Sequence, residues 1–271
     1  AVSNLLDSLD ECDQYAHSPH SKQVFITGDL MNSPNTKNMY QANSFMTMIR
    51  KRYKADITFV LGNHDMIVKG LSIGGRQRTK VIAYLLGEKI KVIEKDKIIL
   101  VKIDSNAGGN LARGMITRRQ LDQIDSELAG IENLEDYTIV VLLHHHVFKV
   151  SKSDFLKIRW REKSIFGSIL DKSKALVDAN MFATWLQQRH IKYVLHGHKH
   201  VPYFMNKNGT YYISAGSATG GLKESESHYY SYNVLRYDYM DKKMKTCLIF
   251  YDDNKKAERK RVEVYLMEED K

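Results

Sequence analysis

Cysteine and proline are scarce in this chain of 271 residues, which has only two cysteines, Cys12 and Cys247, and three prolines. Two cysteines allow one disulfide at most, which excludes a disulfide-stabilised scaffold and is typical of a reducing, cytoplasmic environment. No low-complexity linker interrupts the sequence, and a chain of this length can bury a sizeable core without a structural metal. We therefore predict a single domain over residues 1–271.

Long hydrophobic runs are also missing. No apolar stretch approaches the about 18 residues of a membrane span, and no basic-then-apolar leader opens the sequence. These absences predict a soluble, cytoplasmic protein that does not bind a membrane.

Negative charge is in the minority, with 32 Asp and Glu against 41 Lys and Arg and a net charge of +9. A basic chain attracts anionic partners, so a phosphate-ester substrate is favoured and nucleic acid is a candidate partner. The basic residues are scattered rather than clustered, however, and a solvated Lys-rich surface explains the same charge. Nothing in the sequence sets the oligomeric state.

The sequence does contain four short apolar runs, each followed directly by polar residues. The runs are rich in β-branched residues and stop at Gly or polar groups, a pattern that predicts buried strands. The runs and their polar followers are 24–27 before Gly28-Asp29, 57–61 before Gly62-Asn63-His64-Asp65, 139–143 before His144-His145-His146, and 193–195 before His196-Gly197-His198-Lys199-His200.

Helical patterns lie between the predicted strands. Apolar residues recur on one helical face over 36–53, 121–131 and 178–190, and Thr117 to Gln120 has the form of a capping box. Alternating strands and helices imply a largely parallel central sheet whose functional groups gather at the carboxyl ends of the strands. All four polar clusters lie at such ends.

Further strand patterns predict a second sheet, and with it an α/β fold in which two mixed sheets form a sandwich flanked by helices. The polar segment 151–177, which contains Trp160, is predicted to be a loop or cap insertion that borders the substrate, with a surface loop containing one buried Trp as the alternative. The additional strand patterns are 89–95 with 97–104, 211–215, 231–239, 245–251 and 262–267.

Histidine is concentrated at the strand ends, where three of the four clusters hold seven of the 11 histidines. A single histidine at a strand end is more often a satisfied polar residue than a ligand, but the conjunction favours a metal site. The candidate ligands combine one carboxylate, one amide oxygen and three imidazoles, a set suited to Mn, Fe or Zn ions. They are Asp29, Asn63, His144, His198 and His200.

These residues resemble the motifs of the calcineurin-like metallophosphoesterases, a family with an αββα sandwich. The matching segments are 28–32, 62–65, 144–146 and 197–200, in the order of the family's motifs. Weaker similarities around Gly114 to Leu121 and at Gly216-Ser217 point to its cyclic-nucleotide phosphodiesterase-like branch. The family's first motif, Asp-x-His, is missing. We expect the chain to begin after that motif and its strand; a natural half-site is the alternative.

The resemblance implies two divalent ions bridged by Asp29, with water held between them as hydroxide for in-line attack on phosphorus. One ion would take Asn63, His144 and His198, and the other would take His200 with the missing motif. His64 would be free to protonate the leaving oxygen, and Asp65 would fix the tautomer of His64.

Two assignments within the histidine clusters stay open. The ligand of the triplet is His144 or His145, with His144 favoured by the family's register. His196 either supports the neighbouring ligands or is a packed strand histidine.

The predicted function is dinuclear-metal-dependent hydrolysis of phosphoesters, with a small nucleotide phosphodiester or a related phosphomonoester as substrate. One alternative is a DNA or RNA nuclease of the same fold, favoured by the positive charge. The other is a non-catalytic binding scaffold, which would apply if Asp-x-His were truly absent.

Overall fold

The computed structural model describes residues 2–15, 22–68, 71–72, 87–107, 113–148, 176–200, 202–218, 229–252 and 262–265. Most of the predicted insertion at 151–177, including Trp160, lies outside these residues. In chain order the elements are α1 (Val2–Tyr15), β1 (Gln23–Ile26), α2 (Thr36–Tyr53), β2 (Asp56–Phe59), β3 (Ile67–Val68), β4 (Leu71–Ser72), β5 (Ile90–Ile93), β6 (Ile98–Lys102), α3 (Arg118–Leu128), β7 (Thr138–Leu142), α4 (Ala179–Gln188), β8 (Tyr193–His196), β9 (Pro202–Lys207), β10 (Thr210–Ala215), β11 (Tyr229–Asp238), β12 (Lys243–Asp252) and β13 (Val262–Tyr265).

A six-stranded mixed sheet occupies the centre, in the order β5-β6-β7-β8-β10-β9. The four inner strands are parallel to one another, while β5 and β9 pair antiparallel at the two edges. Strand β9 was not predicted from the sequence. It begins at Pro202, and proline is tolerated at the first residue of an edge strand because its missing N–H breaks no ladder.

A second layer of strands faces this sheet and consists of the parallel pair β1-β2 and the antiparallel set β11-β12-β13. This arrangement corrects two sequence-based expectations. Strands β1 and β2 belong to the second layer and not to the central sheet, and β5, β6 and β10 belong to the central sheet and not to the second. Hydrophobic patterns predict that a segment is a strand, but long-range pairing decides which sheet it joins.

Helices cover both outer faces, which confirms the predicted αββα architecture. Helices α3 and α4 pack on the central sheet, and α1 and α2 pack on β1 and β2. Between the layers of strands lies a separate apolar core. It includes Val60, Leu100, Val140, Leu142, Leu195, Ile213 and Met244. Within the described part of the chain, no helix combines the length and the hydrophobicity of a membrane span.

The predicted capping box at the start of α3 is half formed. The Thr117 hydroxyl accepts the Gln120 amide N–H at 3.2 Å, as a helix N-cap does. The Gln120 side chain does not return to Thr117. It accepts the Asp104 amide N–H at 2.8 Å and donates to the Asp104 carbonyl at 3.0 Å, so α3 is tied to the loop that follows β6.

Candidate metal centre

The two layers of strands bring the polar clusters together, because the carboxyl ends of β1, β2, β7 and β8 meet at one end of the sandwich. The loops at this end of the sandwich are packed closely against one another. Gly28 has φ +95°, and a Cβ on it would lie 2.3 Å from His144 Nδ1. A Cβ on Gly62 would lie 2.1 Å from Asp29 Oδ1. Only glycine allows the β1 and β2 loops and His144 to approach this closely.

Three potential ligand atoms converge between these loops, and a fourth, from Asp29, approaches one of them. Asn63 Oδ1, His144 Nε2 and His198 Nδ1 lie 3.0, 3.0 and 3.1 Å apart. Asp29 Oδ2 lies 3.3 Å from His144 Nε2. Two ligand atoms that each lie about 2.1 Å from a shared cation are about 3.0 Å apart when the ligand–cation–ligand angle is a right angle, and about 3.4 Å apart when it is tetrahedral. The observed spacings fall in this range, as the expected ligation of one divalent ion by these residues requires.

The tautomer of His144 supports this interpretation. Its Nδ1 lies 2.7 Å from the Thr27 carbonyl oxygen, which can only accept, so Nδ1 carries the proton. In the neutral ring, Nε2 then presents a lone pair to the oxygens of Asn63 and Asp29. Several lone pairs facing one point repel each other unless a cation or a proton lies among them, so the donor set fits a metal ion.

His200 lies on the open side of this cluster. Its Nε2 is 3.8 Å from Asp29 Oδ2, the same oxygen that approaches His144. The His200 side chain is 39% exposed, whereas that of His144 is 1% exposed. One carboxylate oxygen thus stands between a buried imidazole and an exposed one, as the expected bridging role of Asp29 requires.

Three of the expected ligands have left-handed backbone conformations, with φ values of +57° for Asp29, +72° for His198 and +56° for His200. Such conformations cost roughly 1–2 kcal/mol each for residues other than glycine. Strained backbone of this kind clusters at functional sites, where the surrounding structure maintains it.

The electrostatics of the cluster favour cation binding. Burial favours the neutral acid of Asp29, but the charge and hydrogen bond of His144, with bonds from His200 and the His64 amide, hold the pKa of Asp29 well below its usual value. Burial, together with the neighbouring histidines, lowers the pKa of His198. At neutral pH Asp29 is therefore an ionised carboxylate and His198 a neutral imidazole, the forms that ligate metals. Burial lowers the pKa of His144, but the charge and hydrogen bond of Asp29 outweigh burial and raise it, so an ion at this site must displace a proton from His144.

The other histidines of the two runs are buried and neutral. His145 Nδ1 contacts the Ser105 hydroxyl at 2.8 Å, and its ring lies beside those of His144 and His198, close enough to share an ion. Burial lowers the pKa of His145 to about 3 and that of His196 to about 4. His196 packs against the Tyr203 ring with centroids 5.2 Å apart, and neither of its nitrogens has a hydrogen-bond partner among the described residues.

The structure corrects the role expected of Asp65. Its fully buried carboxylate accepts the amide N–H groups of Asp29 and Gly62 at 2.8 Å and that of Met31 at 2.9 Å. Asp65 therefore fastens the β1 loop to the β2 loop instead of fixing the tautomer of His64. Burial raises the pKa of Asp65 to about 7, and the amides of Gly62 and Met31 oppose that rise. The His64 side chain is exposed, while its amide donates to Asp29 Oδ1 at 2.9 Å.

Sequence reasoning missed three residues that bond to the ligand-bearing segments, namely Thr27, Ser105 and Asn106. Thr27 acts through its backbone carbonyl, which no side-chain pattern reveals. Ser105 and Asn106 follow β6, where the sequence does give a signal, since Asp104-Ser105-Asn106 is a polar cluster at the end of an apolar run. The strand pattern at 97–104 predicts a strand of the second sheet, whereas functional groups are expected at the carboxyl ends of the central sheet, so this cluster does not stand out in the sequence.

Comparison with known proteins identifies a family. The model of the calcineurin-like phosphoesterases matches residues 3–202. No curated protein sequence matches the chain. Among solved structures, phosphopantetheinyl hydrolase from Mycobacterium tuberculosis is 11% identical with a TM-score of 0.48, covering 76% of this chain and 84% of that one. Zinc-bound Vps29 from Entamoeba histolytica is 16% identical (TM-score 0.38, 94% and 87% covered), and GAP50 from Plasmodium is 11% identical (TM-score 0.40, 90% and 89% covered).

Proposed function

We propose that this chain, which belongs to the calcineurin-like phosphoesterase family, is a metal-dependent phosphoester hydrolase acting on a small nucleotide phosphodiester or a related phosphomonoester. The observation that carries the proposal is the convergence of Asn63 Oδ1, His198 Nδ1 and Asp29 Oδ2 on His144 Nε2, each at 3.0–3.3 Å from that nitrogen. Such a mixed oxygen and nitrogen set suits Mn, Fe or Zn ions.

We propose two ions, because Asp29 Oδ2 lies between the imidazoles of His144 and His200. Bound divalent ions would supply Lewis acidity, neutralising charge on the phosphoryl oxygens and making water more acidic. The residues of the chain hold this arrangement in place. Thr27 fixes the ring of His144, Asp65 joins the two ligand loops, and the ionised Asp29 provides the shared negative charge.

His64 is suited to a separate task. Its side chain is exposed at the edge of the centre, and its backbone is anchored to Asp29. An imidazole beside the ions that is not itself a ligand can hydrogen-bond a phosphoryl oxygen or give a proton to the leaving oxygen of the substrate.

The substrate class is tested by assaying hydrolysis of phosphomonoesters, cyclic nucleotides and DNA with added Mn²⁺, Fe²⁺ or Zn²⁺. Cleavage of a cyclic nucleotide or a small phosphoester would support the proposal. Preferential cleavage of DNA would favour the nuclease alternative, which the net charge of +9 also suits. If none of the substrates is cleaved in a metal-dependent reaction, the result would favour the alternative of a non-catalytic binding scaffold.

The metal assignment is tested with Asp29→Ala. Because Asp29 is the shared carboxylate, we expect this variant to lose both ions and nearly all hydrolysis. Lys199→Ala changes a residue between His198 and His200 that is not assigned as a ligand, so it is the control and should keep both ions. Metal analysis of the purified proteins decides between the outcomes. Full two-ion occupancy in Asp29→Ala would overturn the assignment.

A further inference from the structure

The loop that follows β6 touches two of the ligand-bearing segments without supplying a ligand itself. The Asn106 side-chain amide donates to the Leu61 carbonyl at 2.8 Å, two residues before Asn63. The preceding residue, Ser105, is fully buried, and its hydroxyl accepts the His145 amide N–H at 3.2 Å and contacts His145 Nδ1 at 2.8 Å. Adjacent residues of one loop are thus bonded to the end of β2 and to the histidine run after β7.

The same loop is braced from behind. Gln120 of α3 bonds both backbone groups of Asp104, and the Asp104 carboxylate accepts the Asn106 amide N–H at 2.9 Å. The Met115 amide donates to the Ser105 carbonyl at 2.9 Å. A loop fastened on three sides can hold its neighbours in a fixed place, whereas an unbraced loop would follow their movements.

We propose that Asn106 is a positioning residue that sets Asn63 for metal binding through the Leu61 carbonyl, an inference that rests on the proposed metal-dependent function. Asn63 Oδ1 must meet His144 Nε2 and His198 Nδ1 at 3.0 Å, and its segment comes from the second layer of strands while the histidines come from the central sheet. The bond from Asn106 crosses between those layers beside the site. It fixes the distance between the ligands of one sheet and those of the other.

The test is Asn106→Asp, which keeps the size of the side chain but replaces the amide donor with a carboxylate that repels the Leu61 carbonyl. Residues that orient ligands typically contribute about 10–100-fold in metal affinity. Because Asn106 acts through the backbone, we expect a rise of about tenfold in the dissociation constant for Mn²⁺, measured from free Mn²⁺ by electron paramagnetic resonance. Saturating Mn²⁺ should restore most of kcat, since the ligands themselves are intact.

Thr210→Val is the matched control. The Thr210 hydroxyl is buried and donates to the Ile191 carbonyl at 2.9 Å, a bond of the same kind at the opposite end of the strands. The unfolding free energy of each metal-free variant is measured in urea, so that general destabilisation can be separated from misplaced ligands. Asn106→Ala serves as a second variant if Asn106→Asp does not fold.

Four outcomes are distinguishable. Weaker Mn²⁺ binding in the Asn106 variants, with wild-type binding in Thr210→Val, supports the positioning role even if no phosphoester is cleaved by any variant. Wild-type Mn²⁺ affinity in the Asn106 variants overturns the role while leaving the proposed hydrolase intact. Equal weakening in Thr210→Val, or no Mn²⁺ binding by the wild-type protein, also overturns it.

Discussion

The two halves of the proposed metal centre differ in how completely the described residues build them. Around His144 Nε2, three ligand atoms of other side chains, from Asn63, His198 and Asp29, lie 3.0–3.3 Å away within a buried setting. Beside His200, the described residues supply one carboxylate oxygen at 3.8 Å, and the imidazole is 39% exposed. The chain therefore organises one half before any ion arrives, whereas ion binding at the other half must still draw its ligands together.

This difference has a thermodynamic consequence. Ligands that are already in place lose little conformational freedom when an ion binds, and preorganisation of this kind raises affinity. Ions should then bind in sequence, first to the half that contains Asn63, His144 and His198, and second to the half that contains His200. The predictions below test this order and the chemistry that depends on it.

Replacing the imidazole in each half should have the largest and most contrasting effects. His144→Ala removes a metal ligand from the organised half, so we expect loss of the tightly bound equivalent of metal ion. This effect is larger than the about 10–100-fold change in metal affinity typical of supporting residues. His200→Ala should keep one tight equivalent and lose the weaker one. Calorimetric titration with Mn²⁺ or Zn²⁺ counts the equivalents. Loss of the tight equivalent in His200→Ala would reverse the proposed order.

Replacing His64 should separate chemistry from metal binding in both halves. His64→Ala removes an exposed imidazole that lies beside the ligands but is not assigned as one, so both ions should remain bound. General acid catalysis typically raises the reaction rate about 10²–10⁴-fold, and we expect kcat for an alkyl phosphoester to fall by that amount in this variant.

The leaving group provides the internal control for His64. An activated ester with a leaving group of low pKa needs no proton, so His64→Ala should slow its hydrolysis much less. An equal loss on both esters would show that His64 stabilises the phosphoryl oxygens instead. Loss of metal in His64→Ala would make it a ligand.

Residue types at strand ends carried most of what the sequence could predict about this site. Gly28-Asp29, Asn63 and the two histidine runs were identified because a short apolar run followed by potential ligands is visible locally. The αββα layers followed from the same runs and the resemblance to the family. Helix α3 and its N-cap at Thr117 were also readable, because capping uses residues within one turn.

The remaining features depend on contacts between residues far apart in sequence. Asp65 was expected to serve His64, its neighbour, yet its carboxylate bonds to the Asp29 and Met31 amides more than 30 positions away. Asn106 bonds to Leu61 across 45 positions. A single sequence contains no signal that pairs such residues. For the same reason the sequence did not predict that β1 and β2 lie in the second layer of strands and that β5, β6 and β10 lie in the central sheet.

The last prediction concerns the pH dependence of folding stability, because histidines next to the organised half are buried in their neutral form. His196 is fully buried, and burial lowers its pKa from 6.5 to about 4, with the charge of His144 acting in the same direction. In metal-free protein between pH 6.5 and 4, the unfolded chain therefore binds a proton at this residue that the folded chain does not. The free energy of unfolding then decreases as the pH falls through this window, by about 3 kcal/mol for one such histidine.

His196→Phe removes this titration and can retain the ring packing on Tyr203, whose centroid lies 5.2 Å from that of His196. We expect the variant to lose less stability than the wild-type protein between pH 6.5 and pH 4, by up to about 3 kcal/mol, with urea unfolding at each pH as the measurement. His145, whose pKa is lowered to about 3, remains in the variant, so some pH dependence should persist. Comparison with each protein's own value at pH 8 removes the direct effect of the substitution on packing. Parallel curves for the two proteins would show that His196 does not titrate differently in the folded and unfolded states, and that its ring is accommodated by a partner such as buried water.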